Sequence, residues 1–172
     1  MSRKIIHHGH PDLAQVALPL TFPIPNSVLD LVEELMIIMM QEKGVGIAAP
    51  QIGQSLQVII IASRPNLRYP QAPLMEPLPM INPKILHESQ EKELGWEGCL
   101  SVPDLRGQVE RAKSITVSFS DLNGVQHTET YEGFVARIIQ HECDHLIGKV
   151  FLDRVRSPDS VISEAQYFQE IL

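Results

Sequence analysis

Five consecutive residues late in the chain, His141-Glu142-Cys143-Asp144-His145, combine two imidazoles, two carboxylates and a thiol. On a helix of about 3.6 residues per turn, histidines four apart lie within ~40° of one another, so both can reach one ion. Glu142, one position round from His141, reaches a water on that ion rather than the ion itself. This is the mechanical content of the H-E-x-x-H pattern of metal-dependent hydrolases: two ligands and a carboxylate that shuttles the water's proton. Cys143 lies about 200° round the helix from His141 and reads as a small buried hydrophobe.

Two histidines need a third ligand, and the sequence offers several. A histidine six residues beyond His145, as metzincins have, would fall at position 151, which is Phe151. Glu164 supplies a carboxylate of the kind thermolysin-like enzymes use, but only 27 residues follow His145 to present it. Cys99 lies in Gly95-Trp96-Glu97-Gly98-Cys99-Leu100-Ser101-Val102-Pro103, which reads as a shaped loop able to present a thiolate. A closed zinc site built from both cysteines and both histidines has the right residue count. It would leave Glu142 without a task, and Cys143 does not face the histidines' side of the helix.

Gly44-Val45-Gly46-Ile47-Ala48-Ala49-Pro50-Gln51-Ile52-Gly53 superficially resembles a nucleotide-binding loop. Such loops follow a strand and open a helix, whereas this one follows a helical pattern and contains Pro50. The paired glycines instead allow something to approach the backbone closely. Gln51 adds an amide that can donate to an oxyanion.

These residues must be positioned by a small set of elements. Asn26 is a candidate N-cap for a helix carrying Leu31, Val32, Leu35, Met36, Met39 and Met40 at helical spacing and stopping near Lys43. The methionines read as core filling. Val58–Ala62 reads as a buried strand. Ser63–Pro83, with six prolines, reads as a long surface loop. Ile115, Val117 and Phe119 alternate with polar residues, Asp121–Gly124 holds an Asn-Gly turn, and Val125–Tyr131 supplies the return strand. Gly133–Ile147 reads as the helix that carries the histidines, with Gly148 as its C′ residue, and Ser157–Leu172 as one more short helix. The expectation is a single α+β domain over 1–172. Antiparallel or mixed sheets pack around the HExxH helix of the C-terminal half, with a further helix near the N-terminus.

The chain has 172 residues, is 44% hydrophobic and carries a net charge of −7. That is enough to bury its own core and too apolar for disorder. The acidic balance argues against broad nucleic-acid binding. No apolar stretch approaches a membrane span, and the basic start Met1-Ser2-Arg3-Lys4 runs into His7, His8 and His10 where a signal peptide would be apolar. A cytoplasmic protein with reduced thiols is expected.

Taken together, GVGIAAPQ, EGCLSVP and QHECDHL resemble the three signature motifs of the peptide deformylases, in order and spacing. The resemblance covers most of the chain and extends to Pro11-Asp12 and to Phe151-Leu152-Asp153. It implies removal of the formyl group from N-formylmethionine on newly synthesised polypeptides. Metal-bound water would attack the formyl carbon, with Glu142 as general acid/base. The metal ligands it implies are Cys99, His141 and His145. The oxyanion site would be Gln51 with the backbone N–H of Leu100, and Gly46 would pair with an extended peptide. Val45, Glu97, Phe134 and Arg137 would line a methionine pocket. The implied ion is Fe2+, with Zn2+, Ni2+ or Co2+ as substitutes, although two imidazoles and a thiolate by themselves suit zinc. The implied partners are N-formylmethionyl nascent chains, met by transient association with the ribosome. No basic stretch in the linear sequence marks a docking patch for it.

Overall fold

The computed structural model describes residues 3–172, so Met1 and Ser2 of the basic start lie outside the described residues. In chain order the elements are α1 (Asn26–Gln41), β1 (Gly46–Ala48), β2 (Val58–Ile61), β3 (Leu78–Glu88), β4 (Lys92–Cys99), β5 (Val102–Ala112), β6 (Ser114–Ser120), β7 (Gln126–Glu132), α2 (Gly133–Leu146), β8 (Val161–Ser163) and α3 (Glu164–Glu170). The strands form two antiparallel sheets, one in the order β1-β2-β3-β6-β7 and one in the order β4-β5-β8. The fold is α+β, as expected.

Side-chain alternation along β2 sets the layers. Ile59 and Ile61 pack with Ile138, Ile139 and Leu146 of α2, while Val58 and Ile60 pack with Leu31, Leu35 and Met39 of α1. Both faces of this strand are covered, which is why its sequence is one unbroken β-branched run. The smaller sheet reaches α2 through β5 and through Phe151, which stacks on His141, while Val102, Val109, Val150 and Phe151 form an apolar cluster of their own. Thus α2 is enclosed between the two sheets, and ten of its fourteen residues are buried.

Several expectations hold. Asp121 Oδ1 accepts from the N–H groups of Asn123 and Val125 at 2.9 and 3.0 Å, closing the β6–β7 hairpin. Gly148 has φ +74° and donates to His145 O, ending α2 as a C′ glycine.

Others need correction. Asn26 does not cap α1: it is the first helical residue, and Val28 N–H is taken by the carbonyl of Pro25, which occupies the cap position. Met39 is fully buried, but Met40 is half exposed and does not fill the core. The proline-rich loop ends at Leu78, because β3 accommodates Pro79 and Pro83. Pro79 pairs with Ile60 in a stretch where β6 has not yet joined, and Pro83 falls in a bulge between Ile81 and Lys84. Gly95–Pro103 is not a loop but a hairpin, with Cys99 opposite Val102 and Leu100-Ser101 at the turn. The tail carries strand β8 ahead of its helix.

Candidate active site

α2 projects His141 and His145 from successive turns, with ring centroids 5.2 Å apart. The β4–β5 hairpin delivers Cys99 to the same point, its Sγ 3.4 Å from His145 Nε2. Ligand-capable atoms of Cys99, His141 and His145 all lie within 4.8 Å of one another. Burial opposes ionisation of the Cys99 thiol, but the neighbouring His145 charge and hydrogen bonds from both histidines bring it down to about 5. A thiolate and two imidazoles at this separation fit a divalent transition metal. The other candidates are engaged elsewhere. Glu164 Oε1 accepts from Arg68 Nε at 2.7 Å and Arg106 Nη2 at 2.9 Å. Phe151 stacks on His141 with centroids 6.4 Å apart. Cys143 packs against the apolar cluster, and burial pushes its thiol up to about 12.

A buried ionic network orients this cluster. His141 Nδ1 is 2.8 Å from Glu97 Oε1, which directs Nε2 of that ring toward the other two side chains. Glu97 accepts from Arg111 Nε and Nη2, each at 2.9 Å, and from Arg137 Nη1 at 2.8 Å. Arg111 also donates to Asp144 at 2.7 Å, and Asp144 receives Arg154 at 2.6 Å. Burial works against the Glu97 charge, yet the Arg111 and His141 contacts hold its carboxyl well below the usual range. Glu97 and Arg137, expected in a methionine pocket, do border the cavity described below, but their charges are committed to this network. Arg137 also donates to the carbonyls of Glu93 and Val109, each at 2.8 Å. Nothing in the sequence ties Arg111 to Glu97 and Asp144, or Arg154 to Asp144, because only the fold brings these groups together.

Glu142 is buried, and its Oε2 has no hydrogen-bond partner among the described residues. Burial, opposed by the charges of His141 and His145, pushes its carboxyl up to about 7. Gly46 is the reason it fits: a Cβ there would lie 2.5 Å from Glu142 Oε1 and 2.8 Å from Ile138 Cγ2. The close approach anticipated for the glycine-rich segment is therefore made first by Glu142 itself. β1 is an edge strand. Val45 O accepts from Ala62 N–H, so by antiparallel alternation the backbone groups of Gly46 and Ala48 turn to the open side. Ala48 N–H is taken there by Gln51 Oε1 at 2.9 Å. This orients Gln51 Nε2 toward Ser101 Oγ at 3.2 Å and Cys99 Sγ at 3.5 Å. Ser101, buried at the hairpin turn, also directs its N–H at Cys99 Sγ from 3.4 Å. No sequence pattern singles it out, although it sits two residues from the thiol.

These groups surround a cavity of about 260 Å³. Val45, Gly46, Gln51, Leu100, Phe134 and Glu142 line it together with Cys99 and His141. Every site residue singled out in the sequence borders it except His145, which lies fully buried behind His141.

Comparison with known proteins agrees with this geometry. The chain is 48% identical over 168 residues to peptide deformylase 2 of Nostoc sp., covering 98% of this chain and 93% of that protein. It is 44% identical to peptide deformylase 1 of Bordetella pertussis over 91% of this chain and 89% of that protein. Among solved structures, the Met-Ala-Ser-bound class I type b peptide deformylase of Acinetobacter baumannii superposes with a TM-score of 0.87 at 46% identity. That match covers 90% of this chain and all of the other. The polypeptide deformylase family model matches residues 2–161, and with that match the three motifs, the hairpin thiolate and the two helical imidazoles have one common explanation: this chain belongs to the polypeptide deformylase family.

Proposed function

We propose that the protein is a metal-dependent deformylase that hydrolyses the formyl amide of N-formylmethionyl peptides, and that residues 1–172 act as one domain. The observation that carries this is the convergence of Cys99, His141 and His145 beside a buried, unpartnered Glu142 carboxylate in an accessible cavity. Family membership supports it, as does the Met-Ala-Ser bound to the Acinetobacter relative.

Cys99, His141 and His145 would hold one divalent ion, which when bound lowers the pKa of a water to about 7 and polarises the carbonyl. The outward backbone groups of Gly46 pair with the extended peptide. Val45 and Phe134, with the apolar parts of Glu97 and Arg137, border the methionine side chain. Glu142 takes a proton from the attacking water at Oε2 and delivers it to the departing amine nitrogen. Gln51 Nε2 and the N–H of Leu100 meet the oxyanion; each such donor is worth roughly 10²–10³ in rate. A formyl carbon carries only hydrogen, and the site is expected to favour it over the bulkier acetyl. Equal turnover of formyl- and acetyl-Met peptides would overturn that preference.

The proposed physiological ion is Fe2+, carried over from the family, with zinc, nickel or cobalt as substitutes. Activity of an iron-loaded preparation should decay in air as the metal or the thiolate oxidises, and a preparation stable in air would count against iron. The decisive experiment is formate release from formyl-Met-Ala-Ser by anaerobically purified protein. Glu142→Ala should lower it by about 10²–10⁴ while retaining metal. No release by the unaltered protein would reject the function.

A further inference from the structure

Glu164 is a partly buried carboxylate that holds no place in the metal cluster, yet it borders the same cavity. It opens α3, and its Oε1 receives both Arg68 of the 63–77 loop and Arg106 of β5, at 2.7 and 2.9 Å. The loop is tied a second time where Tyr167 of α3 donates to Arg68 O at 3.1 Å. Within the loop, Asn66 Oδ1 accepts from the N–H groups of Arg68 and Tyr69, forming a turn that presents both side chains together.

Arg106 is the hub. Its Nη1 donates to the Tyr69 hydroxyl at 2.9 Å, and its guanidinium lies 5.7 Å from the Tyr69 ring and 5.5 Å from the Tyr167 ring. It rests against the backbone of Gly98, where a Cβ would clash with it, one residue from Cys99. Tyr69 in turn packs on Phe134 with centroids 4.7 Å apart, and both rings line the cavity. No strand pairing fixes Tyr69: its carbonyl accepts from Asn66 N–H and Ala72 N–H at 3.2 Å within the loop, and its ring is placed by Arg106 and Phe134.

We propose that Glu164 is a positioning residue for substrate selection: by clasping α3 to the 63–77 loop through Arg68 and Arg106, it holds the Tyr69 ring against Phe134 as a wall of the cavity that receives the peptide's first side chain. The proposal rests on the deformylase function of that cavity. Loss of the clasp lets the loop and its ring retreat, which weakens binding of a long side chain while leaving the reacting groups in place.

The test compares the unaltered protein with Glu164→Gln, Glu164→Asp and Tyr69→Ala, on formyl-Met and formyl-Ala peptides. Glu164→Gln should raise KM for formyl-Met-Ala-Ser about three- to tenfold with kcat within twofold, and lower the preference for formyl-Met over formyl-Ala by a similar factor. Glu164→Asp should restore most of both, and Tyr69→Ala should reproduce the kinetic change. The one tryptophan, Trp96, lies edge-on to Tyr167 at 5.8 Å, so its emission reports docking of α3 without reference to activity. It should shift and become more quenchable in Glu164→Gln but not in Tyr69→Ala. Unchanged KM and selectivity in Glu164→Gln would overturn the proposal. So would kcat falling in parallel with loss of bound metal. If even the unaltered protein releases no formate, the deformylase function fails, and Trp96 emission still decides the clasp: no change in Glu164→Gln overturns it.

Discussion

Gly46 and Glu142 share one small volume, and the candidate chemistry depends on how it is divided. A methyl group at position 46 would sit 2.5 Å from the carboxylate and displace it. Gly46→Ala should therefore cost ~1–3 kcal/mol of stability through overpacking and lower kcat with little loss of bound metal, checked by thermal melts, metal analysis and formate release. Gln51 is placed as tightly, with Oε1 fixed by Ala48 N–H and Nε2 by Ser101 Oγ. Gln51→Ala should lower kcat by about 10²–10³ with a smaller change in KM; an equal loss in Gln51→Ala and in a metal-ligand variant would instead implicate metal binding. The types of these residues and their spacing were legible in the sequence. What occupies the space beside Gly46 was not, because Glu142 lies 96 positions away.

Among elements, the β4–β5 hairpin and α2 behave as one unit because charges lock them together. Arg111 bridges Glu97 of β4 and Asp144 of α2, all three buried. Arg111→Met would leave two buried carboxylates short of a partner and should destabilise the fold by roughly 3–5 kcal/mol, measured by urea denaturation. Because Glu97 orients the His141 ring, metal affinity should fall as well, by about 10–100-fold. The hairpin itself went unrecognised in the sequence. Gly95, Gly98 and Pro103 signal a loop locally, and ladder pairing with β5 overrides that signal. Gly98 makes room for the Arg106 guanidinium rather than for a turn. α2, by contrast, was legible because its apolar period and terminal glycine are local features.

At the scale of the whole molecule, enclosure of α2 between two sheets makes stability sensitive to pH and metal. Glu97 and Asp144 have ordinary values of 4.5 and 3.8, and both are lowered in the folded protein. Burial opposes each charge, and hydrogen bonds from Arg111 to Glu97 and from Arg154 to Asp144 outweigh it. A depressed carboxyl contributes stability above its unfolded value and loses it as pH falls through the folded value. The metal-free protein should therefore lose melting temperature steeply below about pH 4.5, as these two carboxylates take up protons; a flat profile from about pH 4.5 to about pH 3 would contradict this. Metal at 100 times its Kd should add about 2.7 kcal/mol, raising Tm by roughly 5–10 °C for a chain of this size. Chelation should reverse the shift. No helix among the described residues is long and apolar enough to cross a membrane.

The sequence by itself determined what depends on short-range spacing. It put two imidazoles and a carboxylate on one helix, placed a thiol among glycines, and ran β2 as a strand too apolar to face water. Tertiary structure decided which candidate third ligand meets the histidines. Cys99 and Glu164 were both open in the sequence, and pairing of β4 with β5 brings the thiol to 3.4 Å from His145 Nε2 while two arginines take the carboxylate. It also decided that Glu97 and Arg137 neutralise each other beneath His141 before they border any pocket. The physical reason is range: helical period and turn chemistry are settled within a few residues, whereas a buried charge is settled by whichever distant partner the fold brings within hydrogen-bonding distance.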